Sequence, residues 1–323
     1  MATAIRVHET GGPEVMQVEQ VEVGAPGTGQ VRLRHTAIGV NFIDTYFRTG
    51  LYKTALPFIP GNEAAGVVEA VGDGVTEFKP GDRVAYIFGP GTYVQARVVP
   101  ADKLVPVPDG VSDQVAAAVL LKGLTAQYLL RRTFAVEAGH EILIHAAAGG
   151  VGLIAGQWAK HIGATVIGTA GSPDKIKLAL EHGYDHVINY RTEDFVARTL
   201  DLTQGRKVSV VYDSVGKDTF SGSLDVLKPL GLLALFGQSS GPVPPFDLNI
   251  LNQKGSLFLT RPSLFAYMSD RAVLLEAAQE LFGLIASGVL KIAVNQTFPL
   301  SKARAAHEAL EGRHTTGTTI LIP

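Results

Sequence analysis

The sequence predicts an α/β protein with two domains, a barrel-like β domain and a doubly wound parallel sheet of six strands. The chain has 323 residues, which is enough for two hydrophobic cores. Short apolar runs separated by turn signals fill about the first 110 residues, and helical periodicity is scarce there. From that point strand and helix patterns alternate, which is typical of a parallel sheet with crossover helices.

The β domain is predicted from five apolar runs, separated by turns rich in glycine and proline. These runs are Ala4–Val7, Val31–Ala37, Ala65–Val71, Arg83–Tyr86 and Tyr93–Val99. One segment inside this domain, 38–52, alternates aromatic and polar residues between Gly39 and Gly50. Its side chains that could hydrogen-bond a ligand are Asn41, Thr45, Tyr46 and Tyr52. Spacing alone favours the alternative, a helical turn that plugs the barrel.

A proline-rich connector at 104–110 ends the β-rich region, because residues before proline are restricted to extended structure. Ser112 is a candidate N-cap for the segment that follows. Two helical runs are predicted there, Val115–Leu121 and Leu124–Arg131.

The next segment has the order of a dinucleotide-binding unit: a buried strand, a turn of small residues and a helix. The strand is Ile142–Ile144, the helix is Val151–His161, and Gly163 is a candidate C-terminal cap. When the turn is aligned with the motif G-x-G-x-x-G, Ala147, Gly149 and Gly152 occupy the three glycine positions. The alternative is a tight strand-to-helix turn without a ligand.

Five further strands and the helices between them complete the predicted sheet. The strands are Ala164–Thr169, His186–Tyr190, Val208–Asp213, Leu232–Gly237 and Leu257–Thr260. Ligands of such sheets bind outside the carboxyl ends of the strands. That rule selects Ala147–Val151, Gly171–Lys175, Tyr190, Ser214–Gly216 and Gly237–Ser240. After residue 262 we expect two helices and a closing strand, Gly317–Ile322, that returns to the β domain.

The end of the second strand favours NADPH over NADH. An NAD site usually has an acidic residue there, which accepts from the ribose 2′-hydroxyl. Here Gly171 and Ser172 occupy the strand end, while Ser172 can donate to a 2′-phosphate and Lys175 can neutralise it. Asp174 is interpreted as a first-turn helix residue. Ser172 could also be a plain N-cap, and both roles can hold together.

Composition excludes several classes of function. The formal net charge of −2 gives no electrostatic case for nucleic acid, and no apolar run reaches the roughly 18 residues of a membrane span. Without cysteine, there is no disulfide, thiolate nucleophile or cysteine-ligated zinc. The nine histidines form no ligand-spaced cluster, and His145, at the end of the first strand of the sheet, is interpreted as structural. No signal peptide is recognised, so the cytoplasm is the expected location.

An ordered set of motifs resembles the zinc-free quinone oxidoreductases, the zeta-crystallin group of the medium-chain dehydrogenase/reductase superfamily. The motifs are Ile38-Gly-Val-Asn-Phe-Ile-Asp-Thr-Tyr46, Pro60-Gly-Asn-Glu-Ala-Ala-Gly-Val67, Lys79-Pro-Gly-Asp-Arg-Val-Ala85, Leu121-Lys-Gly-Leu-Thr125, His145-Ala-Ala-Ala-Gly-Gly-Val-Gly152, Tyr212-Asp-Ser-Val-Gly216, Leu251-Asn-Gln-Lys-Gly-Ser256 and Thr260-Arg-Pro-Ser263. The resemblance implies a GroES-like β-barrel domain over 1–122 and 262–323, a Rossmann domain over 123–261, and an active site in the cleft between them. It also implies no zinc, because Asn62 stands where zinc-dependent relatives have histidine.

The resemblance carries roles over to individual positions. Asn41, Tyr46 and Tyr52 are the expected catalytic residues, with both tyrosines in the quinone pocket and Asn41 and Thr45 beside the nicotinamide. Ser172, Lys175, Tyr190 and Arg313 are expected around the 2′-phosphate. The remaining expected cofactor-binding residues are Thr125, Gly149, Gly150, Val151, Ser214, Phe236, Gly237 and Ser239.

The expected activity is NADPH-dependent reduction of a small-molecule quinone. A reductase of α,β-unsaturated aldehydes or ketones is an alternative in the same class. A non-catalytic NADPH-binding protein, crystallin-like or RNA-binding, is an alternative in another class, and the acidic balance disfavours RNA. We also expect a homodimer through the edge strand Gly255–Thr260.

Overall fold

The computed structural model describes residues 1–323, which form two compact units. The first unit comprises Met1–Lys122, Asp270–Ala286 and Ile292–Pro323. The second unit comprises Gly123–Ser269 and Ser287–Lys291.

The first unit is built mainly from antiparallel sheet. Its strands are β1 (Ala2–Val7), β2 (Met16–Val21), β3 (Gln30–Val40), β4 (Glu63–Val71), β5 (Arg83–Ile87), β6 (Ala96–Pro100), β7 (Leu104–Pro106), β14 (Val294–Pro299) and β15 (Thr318–Ile322). Its helices are α1 (Phe42–Arg48), the first part of α2 (Asp113–Tyr128), α9 (Arg271–Ala286) and α10 (Ala303–Glu311). A seven-stranded sheet has the order β14-β15-β3-β4-β5-β7, with β6 also paired to β3, and β1 pairs with β2. The predicted return of the last strand is confirmed, since β15 pairs with β3.

The second unit is a six-stranded sheet in which every pairing is parallel. Its strands are β8 (Glu141–Ile144), β9 (Thr165–Ala170), β10 (His186–Asn189), β11 (Val208–Asp213), β12 (Leu227–Leu235) and β13 (Phe258–Thr260). Its helices are α3 (Gly150–Ile162), α4 (Pro173–Leu180), α5 (Phe195–Leu202), α6 (Phe220–Asp225), α7 (Asn249–Gln253) and α8 (Leu264–Tyr267). The strand order is β10-β9-β8-β11-β12-β13, so the predicted doubly wound sheet is confirmed and β13 lies at its edge.

The apolar strands of the second unit follow from burial on both faces. All six residues of β11 are buried, which is why its sequence is a continuous apolar run rather than an alternating one. Gly163 caps α3 in the left-handed conformation, with φ at 101°, as the sequence predicted. These features place the ends of β8, β9 and β11 side by side, because the three strands are neighbours in the sheet.

One prediction about the helices was wrong. The two runs expected at Val115–Leu121 and Leu124–Arg131 form the single helix α2, which continues as a π-helical turn over Leu129–Thr133. The Leu121-Lys-Gly-Leu-Thr125 stretch does not interrupt it, since tertiary packing buries the segment around Gly123 and outweighs the low helix propensity of one glycine.

The unit boundaries differ from the expected domain ends at two short stretches. Residues 262–269 lie in the second unit, where Tyr267 stacks on Tyr128 with ring centroids 4.4 Å apart. Residues 287–291 also lie there, and the Lys291 N–H donates to the Gln157 side chain at 2.9 Å. These contacts join residues more than a hundred positions apart, and no local pattern of sequence reports them.

No helix of the protein is both long and apolar enough to cross a bilayer.

Candidate functional site

The glycine-rich turn of the second unit joins β8 to α3. Gly149 is the N-cap of α3 in an extended conformation, and it supplies no side chain to cover the helix end. A Cβ at Gly152 would lie 2.4 Å from the carbonyl oxygen of Ala146, so only glycine fits there. Gly149, Gly150 and Val151 are half-buried. The first N–H groups of a helix have no intrahelical acceptor and carry its positive dipole end, so this turn can hold an anionic group such as a pyrophosphate.

A second group of predicted residues gathers at the ends of β9 and β10. Ser172 is the N-cap of α4, and its hydroxyl accepts a hydrogen bond from the Lys175 N–H at 3.4 Å. Tyr190 lies directly against Gly171, where an added Cβ would come within 2.4 Å of the tyrosine oxygen. Asp174 is exposed in the first turn of α4, as expected. Ser172 is therefore an N-cap, as the alternative interpretation predicted. Ser172, Lys175 and Tyr190 all follow the carboxyl ends of the neighbouring strands β9 and β10.

The turns after β11 and β12 are bonded to each other. The Phe236 N–H donates to the Asp213 carbonyl at 2.8 Å, and the Ser239 N–H donates to the Ser214 carbonyl at 3.1 Å. Gly237 lies so close to Ser214 that a Cβ would approach its carbonyl oxygen to 2.6 Å. The structure thus brings together four of the predicted cofactor residues, namely Ser214, Phe236, Gly237 and Ser239.

Two predicted cofactor residues lie elsewhere in the chain. Thr125 is buried within α2, in the second unit. Arg313 follows α10 in the first unit, where it is exposed and adopts a left-handed backbone conformation with φ at 58°.

The segment 38–52 contains the short helix α1, so the expected helical turn is confirmed. Its aromatic residues form a cluster: the ring centroids of Tyr46 and Tyr52 are 5.2 Å apart, and Phe42 and Phe47 each contact one of these tyrosines. The Tyr52 N–H donates to the Tyr46 carbonyl at 2.9 Å, which fixes the two residues relative to each other. Flat aromatic surface beside two phenolic hydroxyls can bind a planar carbonyl compound.

The Asn41 side chain is held by Glu63. Its amide nitrogen donates to Glu63 Oε1 at 2.8 Å, and the same carboxylate accepts from the Lys122 ammonium at 2.8 Å and the Leu121 N–H at 2.7 Å. Asn41, Glu63 and Lys122 are all buried. Gly39 makes room for this carboxylate, because a Cβ there would lie 2.2 Å from Glu63 Oε1. The direction in which the Asn41 amide points is therefore decided by an ion pair.

Asp44 is a second buried carboxylate next to this pair. It accepts from the Asn62 amide at 2.6 Å, the Tyr93 hydroxyl at 2.9 Å and the Asn41 N–H at 2.9 Å. Burial raises the pKa of Asp44 to about 6, although these donors oppose the shift. Tyr93 also lies 3.0 Å from Nε2 of His307, and burial lowers the pKa of that imidazole to about 3.

Sequence reasoning missed the residues that orient Asn41. Glu63 and Lys122 lie inside two of the motifs on which the family resemblance rests, but nothing in their local pattern indicates that they meet. Asp44, Tyr93 and His307 likewise come from three distant segments. The glycines at positions 39 and 61 are the signals that the sequence offers, because an added Cβ would lie 2.2 Å from Glu63 at the first and 2.2 Å from Tyr93 at the second.

The comparisons with known proteins agree with this geometry. A family model described as "Alcohol dehydrogenase GroES-like domain" matches residues 27–109, and one described as "Zinc-binding dehydrogenase" matches residues 150–273. A quinone oxidoreductase of Pseudomonas aeruginosa is 53% identical to the chain, with all of both proteins covered. The chain belongs to the quinone oxidoreductase group of the medium-chain dehydrogenase/reductase superfamily.

Other members of the group extend the likeness. The crystal structure of the Escherichia coli quinone oxidoreductase complexed with NADPH matches with a TM-score of 0.98 and 51% identity, covering all of both chains. A 2-haloacrylate reductase of Burkholderia is 48% identical over all of this chain and 99% of that relative. The predicted family and the GroES-like and Rossmann fold are confirmed.

The residues of this protein do not form a zinc site, although one of the matching family models is described as a zinc-binding dehydrogenase. The protein has no set of three or more His, Cys, Asp or Glu side chains placed to hold a metal ion. Asn41 and Asn62 instead direct amide hydrogens at the two nearby carboxylates, Glu63 and Asp44. A structural or catalytic zinc needs at least three nitrogen, sulfur or carboxylate ligands in one place, and the protein has neither such a cluster nor a cysteine.

Proposed function

We propose that this protein catalyses the NADPH-dependent reduction of quinones. One observation carries the proposal: the whole chain matches the quinone oxidoreductase of Escherichia coli, whose structure contains NADPH, at 51% identity. The reaction consumes one quinone, one NADPH and one proton, and it yields a hydroquinone and NADP⁺.

The residues that follow the carboxyl ends of the parallel strands have the chemistry needed to bind NADPH. The N–H groups at Gly149, Gly150 and Val151 would hold the pyrophosphate. Ser172 and Lys175 would hold the 2′-phosphate, because no carboxylate stands at the end of β9 to repel it. Tyr190 and Arg313 are proposed at the same phosphate, and Asn41, Thr45, Thr125, Ser214, Phe236, Gly237 and Ser239 are proposed along the rest of the cofactor.

Bound NADPH supplies a hydride, and the protein supplies orientation. We assign Tyr46 and Tyr52 to the quinone, which their rings can stack against and their hydroxyls can hydrogen-bond. Asn41 is assigned a positioning contact, since Glu63 fixes its amide. Quinones are strong electrophiles, so solvent can deliver the proton after reduction and no side chain needs to act as an obligatory acid.

A reductase of activated double bonds is the second candidate. It is favoured by the likeness to the 2-haloacrylate reductase, which is 48% identical. Steady-state oxidation of NADPH with a panel of quinones, enals and 2-haloacrylate separates the two candidates. Turnover of quinones at a kcat/KM at least tenfold above that of enals and haloacrylate supports quinone reductase; the opposite ratio overturns it. No turnover with any acceptor would support a non-catalytic NADPH-binding role.

We further propose that activity needs no metal, since the buried amides at 41 and 62 direct hydrogens toward carboxylates. Full activity after exhaustive dialysis against a chelator is the expected result. Stoichiometric zinc in an active sample, lost together with activity, would overturn it.

A homodimer is proposed through the β13 edge of the sheet. Phe258 on β13 is 59% exposed, and an exposed apolar edge strand invites pairing with a second copy about a twofold axis. Light scattering at micromolar concentration is expected to give twice the 34.2 kDa of one chain. The cytoplasmic location stays a prediction, which cell fractionation would check.

A further inference from the structure

Four buried polar side chains connect the ends of β9, β8 and β11 in the second unit. They are Thr169, His145, Asp213 and, from α6, Ser223, and all are at most 3% exposed. His145 Nδ1 lies 3.0 Å from the Thr169 hydroxyl, and Nε2 lies 3.0 Å from the Ser223 hydroxyl. Ser223 in turn donates to Asp213 Oδ2 at 3.2 Å. The chain of contacts therefore crosses three neighbouring strands of the sheet.

Asp213 decides the direction of every hydrogen bond in this chain. Its carboxylate accepts from the Val215 N–H at 2.7 Å, the Gly216 N–H at 3.0 Å and the Thr219 hydroxyl at 2.7 Å. A carboxylate has no hydrogen to give, so the single hydroxyl hydrogen of Ser223 points to Asp213. Otherwise two acceptors would face each other at 3.2 Å.

The tautomer of His145 follows from that direction. Because the Ser223 hydrogen is used, Ser223 Oγ must accept from His145, and Nε2 of the imidazole carries the hydrogen. Nδ1 is then the acceptor, and it takes the Thr169 hydroxyl hydrogen. Burial lowers the pKa of His145, which keeps the ring neutral and preserves one donor and one acceptor. A charged ring would have two donors, and Thr169 could no longer donate to it.

The proposed NADPH-binding residues lie in the turns that follow β8, β9 and β11, and the hydrogen bonds of His145 and Ser223 connect the ends of these three strands. The glycine-rich turn follows His145, Ser172 follows β9, and Asp213 bonds directly to the backbone of the turn after Ser214. We infer that His145 is a positioning residue for the cofactor: its imidazole holds three turns at fixed mutual positions without itself touching NADPH. This inference rests on the proposed NADPH site and adds a residue that the reaction chemistry does not use.

Cofactor titration of matched variants tests the inference. His145→Phe keeps a ring beside Phe195 and removes both hydrogen bonds, whereas His145→Gln keeps a side-chain donor and acceptor. Thr203→Val is the control, because Thr203 is a fully buried hydroxyl of the second unit that accepts from the Lys207 N–H just before β11 begins. Loss of the Thr203 hydroxyl lowers stability at the amino end of β11, away from the carboxyl ends of the strands where NADPH is proposed to bind.

We expect the Kd for NADPH to rise roughly tenfold in His145→Phe, about the equivalent of one lost hydrogen bond, with kcat at saturating NADPH nearly kept. His145→Gln should recover most of the affinity, and Thr203→Val should bind like the wild type despite a comparable fall in Tm. A Kd for His145→Phe within about twofold of the wild type would overturn the inference, since that change is below one hydrogen bond.

Two further measurements keep the inference testable if His145→Phe fails to fold. Ser223→Ala breaks two contacts of the chain, those to His145 and Asp213, and should also weaken NADPH binding. Long-range proton–nitrogen spectra of the wild type should show a neutral His145 ring protonated at Nε2, assigned by its disappearance in His145→Gln. A hydrogen on Nδ1 would overturn the inference. Wild-type protein that binds NADPH but reduces no quinone would refute the proposed function alone; wild type that binds no NADPH would refute both.

Discussion

The two units hold their candidate binding groups by different means. In the second unit the groups lie within short turns at strand and helix ends, such as the N–H donors at Gly149 and the Ser172 and Lys175 side chains. In the first unit they are side chains oriented by other side chains: Glu63 contacts residues 22, 58 and 59 positions away. The binding groups of the second unit are therefore encoded locally, although the contacts of His145 that connect their turns join distant segments. The groups of the first unit are oriented only when distant segments meet, so they should be far more sensitive to the loss of one partner.

Removal of the Glu63 charge should give the largest effect. In Glu63→Gln the Lys122 ammonium stays buried without its counter-charge, and breaking a buried pair typically costs about 3–5 kcal/mol. Urea unfolding should show that loss in the first unit. The matched control is Glu308→Gln, which breaks the exposed pair with Arg304 and should leave stability nearly unchanged. If both variants lost equally little, the first-unit site would not depend on the ion pair.

Acid should destabilise the first unit through its buried histidines. Burial lowers the pKa of His35 to about 4 and of His307 to about 3, from an ordinary 6.5. Below pH 6.5 the unfolded chain therefore binds protons that the folded chain does not, and stability falls as pH falls. Asp44 opposes this, because its raised pKa of about 6 lets the folded state bind a proton first. The net loss between pH 7 and pH 4 is on the order of 4 kcal/mol.

Urea unfolding at a series of pH values checks the sign of each contribution. His307→Gln should flatten the acid loss and Asp44→Asn should steepen it. An Asp44→Asn variant with a flatter profile than the wild type would show that the carboxyl is not protonated in the folded state.

Removal of the Lys175 charge tests the locally encoded site. Lys175→Ala should weaken NADPH by roughly 10- to 150-fold, which corresponds to about 1.5–3 kcal/mol for a charged hydrogen-bond partner. NADH lacks the 2′-phosphate, so its weaker binding should not change. Fluorescence titration with both cofactors measures this, and an equal loss for the two would mean that Lys175 does not contact the 2′-phosphate.

The smallest effect is expected at the aromatic pair. Tyr46→Phe removes one hydroxyl and keeps the ring beside Tyr52, so it should cost about 0.5–1.5 kcal/mol and act mainly on KM for the quinone. Tyr46→Ala also removes the stacking surface and should do worse. Quinone kinetics at saturating NADPH provide the measurement. A fall in kcat of about a thousandfold in Tyr46→Phe would instead make the hydroxyl an essential acid.

The sequence alone determined the features that depend on short-range pattern. The alternation of apolar runs and helices predicted the parallel sheet, and the turn around Gly149 and the serine and lysine after β9 predicted an NADPH-type site. The prediction of the sheet is confirmed, because strand burial, glycine conformation and helix capping act over a few residues. The individual residues of the NADPH site stay predictions. The motifs that identify the family are local in the same sense.

Only the tertiary structure decided how the buried polar groups pair. It showed that Glu63 holds Asn41, that His145 contacts the Ser223 hydroxyl, and that α2 is one helix rather than two. Each result depends on groups that are far apart in the chain and are desolvated together. A buried donor without an acceptor is costly, so most such groups find a partner, but their sequence neighbours do not reveal which partner the fold provides.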